Sequence, residues 1–254
     1  VATAVAATLA LGGGTAALCG AGAATVSAQA GNGVTSMSAS QALAASLKAL
    51  KAVPNLRLSG FISEGAARLN LDVESAGHGA SSQGSLVSHS SAIGFLGTVA
   101  FVTVESSFYI RGGPTFWSKI FASDSSLTAA QRAKVLSLLV EKWIELPASD
   151  AKSVESEFGS LTNPSSLASQ LTSQTGKLTK SAPKVVDGQQ ALPIISSKGG
   201  TLYIATAGAP LPIELTGPSS GTSGTIVFSY PSHLSIGVPP GAVSLAQIER
   251  EAGG

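Results

Sequence analysis

The stretch Ala67-Arg68-Leu69-Asn70-Leu71-Asp72-Val73-Glu74 decides the fold class. Leu69, Leu71 and Val73 alternate with Arg68, Asn70, Asp72 and Glu74, and a period of two puts alternate residues on opposite faces of a strand. One face is apolar and the other charged, so the strand belongs to a sheet packed on one side and wet on the other. Upstream, Leu56-Arg57-Leu58-Ser59-Gly60-Phe61-Ile62 reads as its partner, joined through Ser63 to Ala66. Downstream, a Gly/Ser-rich turn from Gly77 to Gly84 leads to a strand around Ser85 to Ser88. Val99 to Glu105 and Ser107 to Arg111 continue the series. Short strands joined by brief turns predict an antiparallel meander.

Helical periodicity flanks this meander. Ser38-Ala39-Ser40-Gln41 is a capping-box sequence, in which the serine and the glutamine each satisfy a free backbone N–H of the first turn. Leu43, Leu47 and Leu50 then form one apolar stripe on a helix that ends before Pro54. In the middle third, Pro114 opens a short helix through Phe121. Thr128-Ala129-Ala130-Gln131 is a second capping box, predicting a helix through about Trp143 with Val135, Leu136 and Leu139 on its apolar side. Ala151 to Phe158 and Ser165 to Leu171 are shorter helical candidates. Beyond Lys177 the period of two returns in Lys184 to Val186, Ala191 to Ser196, Leu202 to Thr206, Leu211 to Leu215 and Thr225 to Tyr230. Asp187-Gly188, Lys198-Gly199-Gly200 and Gly208 to Pro210 separate them as turns. The expected architecture is an α+β domain over residues 36–240, with one broad antiparallel sheet and helices on its covered face. Residues 241–254 read as a C-terminal tail that frays.

Residues 1–30 read as an apolar leader. Val1 to Leu11 resemble the apolar region of a signal peptide, and Ala28-Gln29-Ala30 supplies small residues at a cleavage site. A membrane anchor is the rival, although Gly12-Gly13-Gly14 opposes a stable helix. The leader makes the chain an exported, extracytoplasmic protein of the cell envelope or medium. Cys19, the single cysteine, would be lipidated if a lipobox preceded it, but Ala16 and Leu18 stand where Leu and a small residue are wanted.

The composition excludes several classes. Charged residues make up 11% and the net charge is +1, which leaves no basic footprint for nucleic acid. One cysteine allows no intramolecular disulfide and no cysteine-rich zinc site. His78, His89 and His233 are dispersed and lack metal-ligand spacing. No G-x-S-x-G elbow occurs and no phosphate-binding glycine frame joins a strand to a helix. An enzyme would need one of the histidines beside a serine and a carboxylate brought from afar. Glu141 and Glu145, four apart on the expected helix, read as a solvated face rather than an acid/base pair. Lys177, Lys180 and Lys184 form a basic cluster able to meet anionic headgroups, so a membrane surface is a compatible partner. The chain is expected to be a non-enzymatic monomer with no cofactor or metal.

Phe108-Tyr109-Ile110-Arg111-Gly112 followed by Phe116-Trp117 is similar to the strand-to-helix step of LolA-like lipoproteins, in particular the LppX/LprG type of actinobacteria. Val185-Val186-Asp187-Gly188, Leu202-Tyr203-Ile204-Ala205 and Gly208-Ala209-Pro210-Leu211-Pro212-Ile213 resemble the returning strands of the same family. The likeness spans Ser38 to Pro239. It implies a half-barrel whose hydrophobic cavity holds a lipid or acylated glycolipid. On that reading the cavity is lined from the sheet by Leu58, Leu69, Leu71, Phe101, Leu202, Ile204, Ile213 and Phe228, and from the helical side by Leu139. Tyr109, Phe116 and Trp117 either wall its mouth or anchor the core. A regulator on the same fold, of the RseB type, is the alternative; it would engage a partner protein through an exposed apolar patch.

Overall fold

The computed structural model of the chain describes residues 31–90, 96–121, 128–147, 151, 159, 161–173, 176–217 and 222–253. The leader, Cys19 and all but the first residue of the expected helix from Ala151 to Phe158 lie outside them.

The alternating stretch forms β2 (Ala67–Ala76), paired with β1 (Leu56–Glu64) in the register that sets Leu58 opposite Val73 and Arg57 opposite Glu74. The meander continues through β3 (Ser81–Ser88), β4 (Gly97–Val104) and β5 (Ser107–Gly112), every pair antiparallel. The second meander contains β7 (Leu178–Lys180), β8 (Lys184–Val186), β9 (Gln189–Ser196), β10 (Thr201–Ala205), β11 (Pro212–Thr216) and β12 (Thr222–Ser229). Two short strands, β6 (Ile144–Glu145) and β13 (Val243–Ser244), extend the first meander beyond β5. Together they make one open sheet of thirteen strands, ordered β13-β6-β5-β4-β3-β2-β1-β12-β11-β10-β9-β7, with β8 also on β9. The expectation of an α+β fold on one broad sheet holds, with one departure. The β13–β6 pair is parallel, because the chain returns to that edge after crossing the molecule.

Among the described residues, the sheet joins the two meanders at β1 and β12, where Leu58 faces Phe228 and Gly60 faces Ile226. The inner face from β1 to β4 carries Leu58, Leu69, Leu71, Leu86, Val99 and Phe101, all buried in the main core. The outer face carries Arg57, Asp72 and Glu74. Both Arg57–Asp72 hydrogen bonds are short, 2.9 and 2.7 Å.

Helices cover the inner face in two groups. Helix α1 (Ala39–Lys51) begins with the expected capping box, Ser38 accepting from Gln41 N, and buries Leu43, Leu47 and Leu50. It packs with α4 (Pro164–Ser173) over the second meander. Helices α2 (Pro114–Phe121) and α3 (Ala129–Leu139) belong to the first meander. The Thr128–Gln131 capping box also forms, but α3 stops at Leu139 rather than reaching Trp143. Glu141 adopts a left-handed φ of 61°, and the following residues turn into β6. Glu141 and Glu145 are thus not on one helix face. Glu145 lies in β6 and accepts from the Ser107 hydroxyl at 3.0 Å.

The residues after Pro240, expected as a fraying tail, instead form β13 and a helix α5 (Leu245–Gly253) against α3. Ser244 Oγ accepts from Gln247 N at 3.2 Å, and Ile248 is only 2% exposed.

Glu214 on β11 offers a pH-dependent probe of the outer face. Burial is the main influence raising its pKa from the ordinary 4.5; Lys184 opposes the rise and Asp187 adds to it. A carboxyl whose pKa is raised by folding contributes stability that is fully present at low pH and lost as pH rises through the folded pKa. Glu214→Gln is expected to raise the Tm at pH 7, the gain vanishing below pH 4.5, where the wild-type carboxyl is also neutral. Thermal melts of both proteins from pH 4 to 8 check this.

Candidate functional site

The site is built around the strand-to-helix step after β5. Gly112 is the last residue of β5, on its inner face, and a Cβ there would collide with the Phe116 ring and stand 2.9 Å from Trp117 Nε1. The missing side chain lets α2 lie directly on the strand. Phe116 and Trp117 then meet edge to face, with centroids 5.0 Å apart, and Trp117 stacks on Phe121 at 6.3 Å. Trp117 Nε1 has no hydrogen-bond partner among the described residues.

Beyond this aromatic step, α2, α3, β6 and α5 line a cavity of about 430 Å³ that is partly open to solvent. Trp117 and Phe121 come from α2, Gln131, Val135 and Leu139 from α3, and Ile144 from β6. Leu146 follows β6, while Leu245, Ile248 and Ala252 come from α5. Among the described lining residues the polar groups are the Gln131 side chain and the Trp117 indole N–H, and none of those residues is charged. Such a surface offers dispersion contacts and relief from water.

Of the residues the sequence marked for a lipid cavity, Trp117 and Leu139 line this one. Leu58, Leu69, Leu71, Phe101, Phe116, Leu202, Ile204 and Phe228 are brought together in the main core. There they pack against one another and the helices, and Phe101 stacks on Phe108 at 6.0 Å. Tyr109 and Ile213 do not join them. Tyr109 alternates with Phe108 and Ile110, so it faces outward beside Val102 and Glu145. Ile213 is turned outward by a β-bulge: Tyr203 faces Glu214 while Ile204 faces Pro212, leaving Ile213 as the extra residue. It packs instead with Ala191, Tyr203 and Ala205 in a separate cluster. Pro212 is held there by the Tyr230 hydroxyl, which donates to its carbonyl at 2.7 Å. Burial raises the Tyr230 pKa, so the phenol stays a donor.

Leu245, Ile248 and Ala252 were not singled out from the sequence, although their spacing is that of one helix face. Ser244-Leu245-Ala246-Gln247 repeats the capping-box pattern of the two earlier helices, and that signal would have found α5.

The histidines are scattered. His78 sits in a left-handed turn, and His78, His89 and His233 are all exposed. No group of three potential metal ligands occurs among the described residues. Two lysines of the basic cluster have local partners. Lys180 Nζ donates to the carbonyls of Thr35 and Met37 at 2.7 and 2.5 Å, and Lys184 Nζ lies 4.5 Å from the Tyr203 ring centroid. No described helix is long and apolar enough to cross a membrane.

No protein-family model matches the chain, and no curated protein does. Among solved structures it is similar to LprF from Mycobacterium bovis, at 13% identity and a TM-score of 0.48, over 79% of this chain and 96% of that one. It is similar to lipoprotein LppX of Mycobacterium tuberculosis at 12% identity and a TM-score of 0.45, over 78% and 99% of the two chains. The Pseudomonas aeruginosa MucA/MucB complex follows at 15% identity and 0.33, over 83% and 60%.

Proposed function

We propose that the chain is an extracytoplasmic, non-enzymatic carrier that holds an acyl chain of a lipid or glycolipid in the cavity between α2, α3, α5 and β6. The observation carrying this reading is the wall itself: about 430 Å³ whose described lining residues are apolar apart from Gln131 and the Trp117 indole N–H. That volume lies within the usual range for small-molecule sites, about 300–1,000 Å³. Each methylene withdrawn from water contributes about 0.8 kcal/mol, so a chain of modest length binds through desolvation alone. On this reading the acyl chain lies at the helical end, while the residues in the middle of the sheet pack in the core.

The regulatory alternative called for an exposed apolar patch. The exposed large hydrophobics among the described residues, Ile120, Val185, Ile195 and Val238, lie on four separate segments, which favours the carrier.

Native mass spectrometry of the full chain, with extraction of co-purifying lipid, tests the reading. Val135→Trp places an indole into the empty volume from a half-buried position. It is expected to abolish uptake of a fluorescent fatty acyl ester while changing stability by no more than about 1 kcal/mol. A wild-type chain that takes up neither phospholipid nor glycolipid from vesicles overturns the carrier assignment.

A further inference from the structure

The outer face of the sheet holds a second recess that the acyl-chain reading does not use. We propose that it is a carbohydrate-binding groove, walled by Trp143 at one end and by Asp72, Glu74 and Gln83 at the other.

The groove has a volume of about 260 Å³, and strand register explains its shape. Asp72, Ser85, Ala100 and Arg111 occupy one row across β2 to β5, and Glu74, Gln83, Val102 and Tyr109 occupy the next. The small side chains of Ser85 and Ala100 leave a trough in the middle of the first row. Trp143, just before β6, closes the trough on the β5 side. Its carbonyl is held by Val243 N at 2.9 Å, and the Arg111 guanidinium stands 4.9 Å from its ring centroid. The backbone that carries the indole is thus fixed, and Arg111 packs against the ring.

The polar wall is oriented by hydrogen bonds. Arg57 grips Asp72 through two hydrogen bonds, and Gln83 Nε2 donates to Glu74 Oε2 at 2.7 Å. An ionised carboxylate has about four lone-pair sites, so both acids retain acceptor capacity for hydroxyl groups. Holding them in place beforehand removes part of the ordering cost of binding.

Charge selects the ligand class. Asp72 and Glu74 are matched by Arg57 and Arg111, so the groove has acceptors and donors without a net sign. A cationic ligand would compete with Arg111 for the indole, and an anionic one would meet two carboxylates. A neutral ligand rich in hydroxyls, with C–H surface to lay against an aromatic ring, suits both walls. That is a sugar ring of a neutral glycan. The groove lies on the opposite face of the sheet from the acyl-chain cavity, so the two assignments stand or fall separately.

The test is NMR titration of the full chain with maltotriose, cellotriose and mannotriose, reading the two tryptophan indole N–H resonances. The expected result is that at least one trisaccharide, at millimolar concentration, shifts the resonance that disappears in Trp143→Phe and leaves that of Trp117 in place. Ser85→Tyr, which fills the trough from an outward position, and Gln83→Ala are each expected to weaken binding about tenfold, with thermal unfolding and acyl-chain uptake unchanged. Three results overturn the proposal: no trisaccharide moves the Trp143 resonance, affinity is unaltered in Ser85→Tyr, or trilysine binds there in preference to the sugars.

Discussion

Replacing Gly60 by alanine is expected to separate the two halves of the sheet. Gly60 has φ +148°, and a Cβ there would collide with the carbonyl oxygen of Thr225 and stand 2.9 and 3.1 Å from Thr225 C and Ile226 Cα. These are backbone atoms of β12, which cannot rotate away as a side chain would. Gly224 is also tight from the other side, its Cβ position 2.5 Å from Phe61 O. Relief requires moving β12 off β1, where the sheet joins the two meanders. The cost is put at about 3 kcal/mol or more, combining backbone strain with lost pairing. Gly65 provides the control. It also has positive φ, at +56°, but no atom lies within 4 Å of its Cβ position, so Gly65→Ala is expected to cost about 1 kcal/mol. Urea unfolding of both variants measures the difference; equal losses would show that the seam tolerates displacement.

Ile248→Asp is expected to undock α5 and empty the cavity of its ligand. Ile248 is 2% exposed and belongs to both the core and the cavity wall. Burying an unpaired carboxylate there is far costlier than releasing the helix. Among the described residues, α5 is held by its face of Leu245, Ile248 and Ala252 and by the two-residue β13–β6 pairing that precedes it. Undocking therefore limits the loss, and the Tm should fall by only a few degrees. Binding should change much more, because the cavity loses one wall and fills with water. The expected readout is stronger fluorescence of an apolar dye, fast amide exchange confined to residues 243–253, and acyl-chain uptake reduced more than tenfold. Retained uptake with α5 demonstrably mobile would place the binding surface elsewhere.

The sheet was legible because its strands are wet on one side. Leu69, Leu71 and Val73 alternate with charged or polar neighbours, and a slip of one residue would bury Asp72 and Glu74. The helix starts were legible for an equally local reason: Ser38 and Thr128 cap the helices that their sequences promised. What escaped was set by tertiary contact. Nothing near Ile213 in the sequence announces the bulge that sends it outward, since the signal is the mismatch between β10 and β11. Apolar character alone did not assign Tyr109 to a face, because Phe108, Tyr109 and Ile110 are all buried. Which apolar residues would line a cavity was hidden for a related reason. Phe101, Leu71 and Ile204 have the chemistry of a lipid-binding wall, yet whether such residues touch a ligand or one another depends on how the helices close over them. The helix that forms the remaining wall, α5, was written in the sequence by Ser244 and Gln247.

The joining of β1 to β12 also sets a timetable for the chain. From β1 to β5 and from β9 to β12 each strand pairs its neighbour in sequence, so those contacts form early and locally; the seam between Leu58 and Phe228 must close a loop spanning most of the molecule and is expected to form late. A chain emerging from its N-terminal end displays β1 as an open edge until β12 arrives. Throughout that interval its unpaired amides can recruit a strand from another molecule. Yield during biosynthesis should thus depend on chain concentration and on whatever shields Leu56–Glu64, more than on the final stability of the sheet.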